Sequence, residues 1–288
     1  MGEDIKIKIK GHEKFVLREG WLTKGLLSVR NNSFVFSGDK GPDELGVGSN
    51  MVKAIRYYLQ AFQLINDNSK NGTTLTITGK AIADNDPYIE DRFTLCLLHS
   101  LIASSFEKAT SWYLFFNQSK LKEFTKENLQ DYISRELIRL SGKEVPEGSI
   151  KDDIDVLLNM YLKKSGDDDI GEDPEDKLHS PLSSLGLIRR EKTTYFKQQV
   201  DLKLVGTDTV LYEISKLIGE DKSLSIEAIA NHLENYLGIS WVQTNEYLDV
   251  LDREGIIRVD RTAGLDVIYP IEMPSAEEII VNHYKGRN

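Results

Sequence analysis

One stretch of the chain places polar and basic side chains at a spacing suited to contact with nucleic acid. From Gly38 to Ile65 the run GDKGPDELGVGSNMVKAIRYYLQAFQLI predicts a short helix, a glycine-containing turn and a longer helix. On the longer helix Val52, Ile55, Leu59 and Phe62 recur at the helical period and mark a core side, while Ser49, Lys53, Arg56 and Gln60 share the opposite side. Lysine and arginine reach guanine or phosphate, serine reaches either, and Asn50 stands beside the helix start. The turn-rich NDNSKNG then leads into TTLTITGKAI, where Leu75 and Ile77 alternate as in a strand. A hairpin is therefore expected as a wing, adding Lys70 and Lys80 to the DNA-binding set. The same face would also serve as the solvated side of a protein-binding winged helix, and the sequence leaves both readings open.

Two other segments concentrate side chains able to transfer protons or hold a metal ion: His12, Glu13 and Arg18, and then Asp86, Glu90, Asp91 and His99. Their spacing is poor. On one helix Asp91 and His99 stand about 80° apart, and Glu90 and His99 fall on opposite sides. No recognised metal motif appears, so no metal site and no cofactor are expected. Asp91 is better placed to cap the long apolar helix that begins at RFTLCLLHSLIA, and the histidines suit hydrogen-bonded structural roles. GVGSN lacks the Lys-Ser/Thr ending of a nucleotide loop. Cys96, the single cysteine, reads as a small buried hydrophobe.

The C-terminal part, from VLYEISKLIG to LDVIYP, predicts helix, helix, turn, helix and a hairpin around Thr262, Ala263 and Gly264, with Ser225 and Ser240 as helix caps. Its last helix presents Gln243, Glu246, Asp249 and Arg253 outward, and two carboxylates there oppose insertion into a phosphate-lined groove. These four residues are expected to bind a protein, with Trp241, Tyr247, Leu248 and Leu251 committed to the core.

The fold expected is mainly α (α+β), with winged helix-turn-helix units at both ends and a helical middle. The boundaries are 1–85 for the first winged helix, 86–163 for the middle, 164–177 for an acidic linker, 178–205 for a helix-plus-strand connection and 206–288 for the second winged helix. In the middle, Trp112, Tyr113, Phe115 and Phe116 read as interior, and a second amphipathic helix starts near Thr125. The chain of 288 residues has a net charge of −10, which argues against non-specific coating of nucleic acid. That charge is uneven: Glu147 to Asp176 holds eleven acids against Lys151, Lys163 and Lys164, so the remainder is close to neutral. SGDDDIGEDPEDK has the composition of a solvated linker and lacks the ligand spacing and closing glutamate of a calcium loop. No run reaches the roughly 18 uncharged residues of a membrane span, and the first residues contain no apolar export segment, so a cytoplasmic protein with no membrane partner is expected.

GHEKFVLREGWLTKGL, LGVGSNMVKAIRYYLQAF, DPYIEDRFTLCLLHSLIA and SPLSSLGLI occur in that order between Gly11 and Ile188. Together they resemble a bacterial domain-of-unknown-function family found with phosphoadenosine-phosphosulfate-reductase-like proteins in DNA-modification clusters. The resemblance lies near the SspB-type component of DNA phosphorothioation and phage-defence systems. The chain departs from the family pattern at Tyr58, where tryptophan is common, and at Gln63, where glycine is common. Neither change removes a polar contact. The resemblance implies an accessory role in sulfur modification, with DNA as ligand and a cysteine desulfurase, a sulfur-transfer or reductase-like protein and an ATPase as partners. It also implies strand nicking, for which a divalent metal held by His12, Asp86, Glu90, Asp91 and His99 would be the candidate site. A winged-helix transcriptional regulator is a third reading.

Overall fold

The computed structural model describes residues 6–68, 70–163 and 179–286. It is a mixed α+β protein whose strands form small antiparallel sheets. The chain divides into two compact units, Met1–Gln198 and Gln199–Asn288. The acidic linker expected at 164–177 lies outside the described residues.

In the first unit, α1 (Trp21–Asn31), α2 (Gly41–Leu45) and α3 (Ser49–Ala61) precede a hairpin of β1 (Ile65–Asn68) and β2 (Gly72–Leu75), registered Ile65 to Leu75. The expected strand through Ile77 is half correct. It ends at Leu75, because the Thr76 hydroxyl accepts the Gly79 N–H at 3.0 Å and starts α4 (Ile77–Asn85). Alternation is therefore a false signal beyond Leu75, and Ile77 is 51% exposed on the helix. A side chain at Gly79 would place Cβ 2.0 Å from the Leu64 carbonyl oxygen, so only glycine lets α4 dock this closely.

The core of this unit is α5 (Arg92–Ser104), buried from Phe93 through Ala103. It is apolar all round because it packs on every side. Asp91 caps it as expected, accepting from Phe93 N–H at 2.6 Å and Thr94 N–H at 3.2 Å. The helix stops at Ser104, short of the expected length, and the chain restarts as α6 (Thr110–Tyr113) running into a π-helical turn at Leu114–Gln118. Trp112, Phe115 and Phe116 are interior, as their leucine-rich context implies. Thr125 opens α7 (Lys126–Ser141) with a capping box to Asn128, and α8 (Glu147–Tyr161) packs against it. β3 (Glu123–Phe124), β4 (Ile188–Glu191) and β5 (Thr194–Lys197) form a sheet in the order β3-β5-β4. Segment 188–197 is thereby tied to the helical middle.

The second unit runs α9 (Thr207–Ile218), β6 (Leu224–Ser225), α10 (Ile226–Leu237), α11 (Trp241–Arg253), β7 (Ile257–Asp260), β8 (Val267–Pro270) and α12 (Ala276–Lys285). Its sheet order is β6-β8-β7, with a 3-10 turn at Thr262–Gly264 in the hairpin. Ser225 and Ser240 cap α10 and α11 as expected. Trp241 departs from expectation. It is 50% exposed, because the first turn of α11 presents it with Val242 to solvent while Leu248 and Leu251 reach the core. Among the described residues, no helix is long and apolar enough to cross a membrane.

Candidate nucleic-acid interface and the buried histidines

Gly46 closes α2 in the left-handed region, and Gly48 begins α3 without a side-chain cap. The start of α3 is thus open, with its first backbone N–H groups and the positive end of its dipole at the surface. Ser49, Asn50 and Lys53 are exposed there, and the Lys53 ammonium donates to Asn50 Oδ1 at 3.2 Å. One turn further on the face changes character. Arg56 Nε donates to Asp67 Oδ2 at 3.0 Å, and the Gln60 amide donates to the same oxygen. Thr73 donates to Asp67 Oδ1 at 2.5 Å. Burial pushes the Asp67 carboxyl up, but the hydrogen bonds from Thr73, Arg56 and Gln60 outweigh it and hold the group below its ordinary value. The DNA-contact residues expected on α3 therefore form two sets: Ser49, Asn50 and Lys53 at the open end, and Arg56 and Gln60 bonded to Asp67 of the hairpin, which compensates the Arg56 charge. Asp67 was legible only as a turn residue of NDNSKNG. Lys70 is exposed in the hairpin turn, and Lys80 is exposed on α4 rather than on a strand.

The acid and histidine candidates scatter. His12 is fully buried; its Nδ1 accepts the Lys14 N–H at 3.1 Å, so Nε2 carries the proton and donates to Asp153 Oδ1 at 2.9 Å. Asp153, 1% exposed on α8, also accepts from Lys10 N–H at 2.5 Å and from Ser111 Oγ at 2.6 Å. The carboxylate thus knots the N-terminal segment, α6 and α8 together, with 141 residues separating it from His12. His and Ser both bond the acid and not each other, so this is not a nucleophile relay, in which histidine stands between the two. His99 lies elsewhere in the core, 2.8 Å from the Tyr161 hydroxyl and edge-on to Phe116. Asp86 accepts from Glu90 N–H at 2.9 Å and Asp91 N–H at 3.0 Å, using both oxygens, and Asp91 caps α5. Glu90 is exposed. Among the described residues, no three His, Cys, Asp or Glu side chains converge to hold a metal ion. These five residues do not converge: capping and core hydrogen bonds engage His12, Asp86, Asp91 and His99 separately, and Glu90 is exposed.

On α11, Gln243 closes a capping box with Ser240 and also accepts from Gln199 at 2.7 Å. Glu246 is exposed, Asp249 pairs with Arg261 of the hairpin at 2.9 Å, and Arg253 Nε donates to the Asp249 carbonyl at 3.1 Å. The predicted partner face therefore keeps Glu246 as its solvent-facing acid, beside the exposed Trp241 and Val242.

Helices with small antiparallel sheets in two compact units define a mixed α+β class of protein. The chain belongs to the DUF4007 family, described as a protein of unknown function, whose pattern matches residues 9–284. It is similar to two solved structures described as the SspB crystal structure and the magnesium ion-bound SspB crystal structure. Each gives a TM-score of 0.85 at 24% identity, covering 96% of this chain and 88% of that one. No curated protein matches it.

Proposed function

We propose that this protein is a DNA-binding accessory component of a bacterial DNA phosphorothioation and phage-defence system, and that it places other modification proteins on DNA. The SspB-like fold across 96% of the chain supports the system. The observation that carries DNA binding is the open N-terminus of α3, where exposed Ser49, Asn50 and Lys53 meet unsatisfied backbone N–H groups, an arrangement that favours phosphate. In this reading α1 to β2 form a winged helix with α3 as its groove-facing helix. The order α9-β6-α10-α11-β7-β8, with β6 paired to β8, forms a second. The second serves protein contact, since Glu246 would meet phosphates with like charge while Arg261 already compensates Asp249, and its partners are the cysteine desulfurase, sulfur-transfer and ATPase components.

The test is duplex binding followed by anisotropy across a salt series. Lys53→Ala should flatten the log-log salt slope by about one. Arg56→Ala should change it less, because Asp67 already compensates that charge. An unchanged slope and affinity in Lys53→Ala rejects the α3 face.

A second reading, a metal-dependent nickase, is favoured by the magnesium in one SspB structure. The candidate donors in this chain do not fit it: Asp86, Asp91, His12 and His99 are each bonded within the fold, and no step through a metal is derived from them.

A further inference from the structure

The hairpin of β4 and β5 presents exposed cations that the reading above does not use. Ile188 pairs with Lys197, Arg189 with Phe196, Arg190 with Tyr195 and Glu191 with Thr194, leaving Lys192 and Thr193 as a two-residue turn. Its base is fixed. Ile188 and Tyr195 are buried, Tyr195 stacks on Phe124 of β3 at 5.8 Å, and Lys197 donates to the Phe115 and Ser119 carbonyls. From Arg189 to Thr193 every residue is exposed.

The charges on this ribbon are not equivalent. Arg189 lies 4.4 Å from the Phe196 ring and pairs with Glu191, so that cation is neutralised. Arg190 is held differently: its Nε donates to the Lys192 carbonyl at 2.8 Å, and its guanidinium rests 5.9 Å from the Tyr195 ring. These contacts fix the planar group while using one of its donors, and it meets no acid among the described residues. Lys192 stands at the turn with positive φ and is exposed. Just before the adjacent edge strand β3, Lys120 and Lys122 are exposed, with the acid Glu123 at its start. In a chain of net charge −10, this concentration of cations on a narrow two-stranded ribbon is a local reversal of sign.

We propose that the β4–β5 hairpin is a second nucleic-acid contact, with Arg190 and Lys192 binding backbone phosphates. A two-stranded ribbon fits the width of a DNA groove, and an immobilised guanidinium loses little freedom when it grips phosphate. The α3 face offers one uncompensated cation, Lys53, where the hairpin offers two. The proposal rests on the DNA-binding reading but uses separate residues, so each can fail alone.

The test is duplex binding by the full chain carrying Arg190→Ala with Lys192→Asn, asparagine being chosen because it tolerates positive φ. Two lost phosphate contacts should flatten the salt slope by about two and weaken binding roughly 60-fold at 0.1 M salt, since each contact is worth about eightfold there. Lys143→Ala serves as the exposed control, and matching thermal melts confirm folding. If the hairpin variant binds like wild type while Lys53→Ala weakens, the hairpin proposal is wrong and the α3 reading stands. If wild type does not bind duplex, both are wrong. Should the hairpin variant instead lose only binding to polyglutamate, the ligand is an acidic polypeptide and the nucleic-acid assignment is overturned.

Discussion

Lys197 provides the sharpest quantitative prediction about this fold. Its ammonium sits between the Phe115 carbonyl at 2.6 Å and the Ser119 carbonyl at 3.2 Å, and 4.4 Å from the Phe115 ring, clipping the central strand to the π-helical turn. Burial, with a smaller contribution from Lys122, pushes its pKa down from 10.5 to about 7. A base with a depressed folded pKa is uncharged in the folded state and charged in the unfolded state between those two values. The unfolded chain binds more protons there, so stability rises with pH, by up to about 1.4 kcal/mol per unit. Below about pH 7 both states are charged and the full burial cost is present. The upper end is set by Tyr57, Tyr58 and Tyr161, whose burial raises their pKa well above 10.0. Their unfolded forms ionise first, and stability falls again above pH 10. Lys197→Met removes the lysine contribution alone. Urea unfolding of both proteins at half-unit steps from pH 6.5 to 9.5 should show wild type gaining up to about 3 kcal/mol relative to the variant, less whatever the two carbonyls and the ring restore to the ammonium. A Trp241→Phe background leaves Trp21 and Trp112 to report on the first unit. Parallel stability curves across this range would refute the reasoning.

Two further outcomes test the buried knot and the partner face. Asp153→Ala strands the donors of Lys10, Ser111 and His12 in the interior and should cost about 3–5 kcal/mol, read as a drop in the urea midpoint at unchanged m; a loss under about 1 kcal/mol would mean that the carboxylate is dispensable to the core. Glu246→Lys, exposed and free of the Asp249–Arg261 pair, should weaken co-purification with sulfur-modification proteins more at low salt than at high salt while shifting stability by under about 0.5 kcal/mol; equal recovery at all salts would dismiss an electrostatic partner face.

What the sequence disclosed was local. Asp91, Ser225 and Ser240 were legible as caps, and Thr125 as a helix start, because capping depends on a side chain and N–H groups two or three residues away. The amphipathic sides of α3 were legible for the same reason, since their period is a property of one helix. Thr76 shows the limit of pattern. TTLTITG alternates like a strand, but a threonine three residues before a glycine that must pack on Leu64 turns the same letters into a helix start. The helical period puts Trp241 on the side of α11 that carries Leu248 and Leu251, yet in the first turn it is half exposed while they are buried.

The candidate site failed where its chemistry was long-range. His12 and Asp153 are silent in sequence because nothing near either residue announces the other, and Asp153 stands beside Asp152 and Asp155 in KDDID, where nothing singles it out. Asp67 matters more for function. It is a turn residue by type, but the β1–β2 register places it across from Thr73 and against α3, where one carboxylate satisfies Arg56 and Gln60 together. The cations available to a polyanion are then those whose counter-charge is absent, not those that share a helix face. Applied to α3 and the β4–β5 hairpin, that criterion removes Arg56 and Arg189 and leaves Lys53, Arg190 and Lys192. DNA affinity in a chain of net charge −10 should therefore follow these few uncompensated side chains, each adding its own increment to the salt dependence.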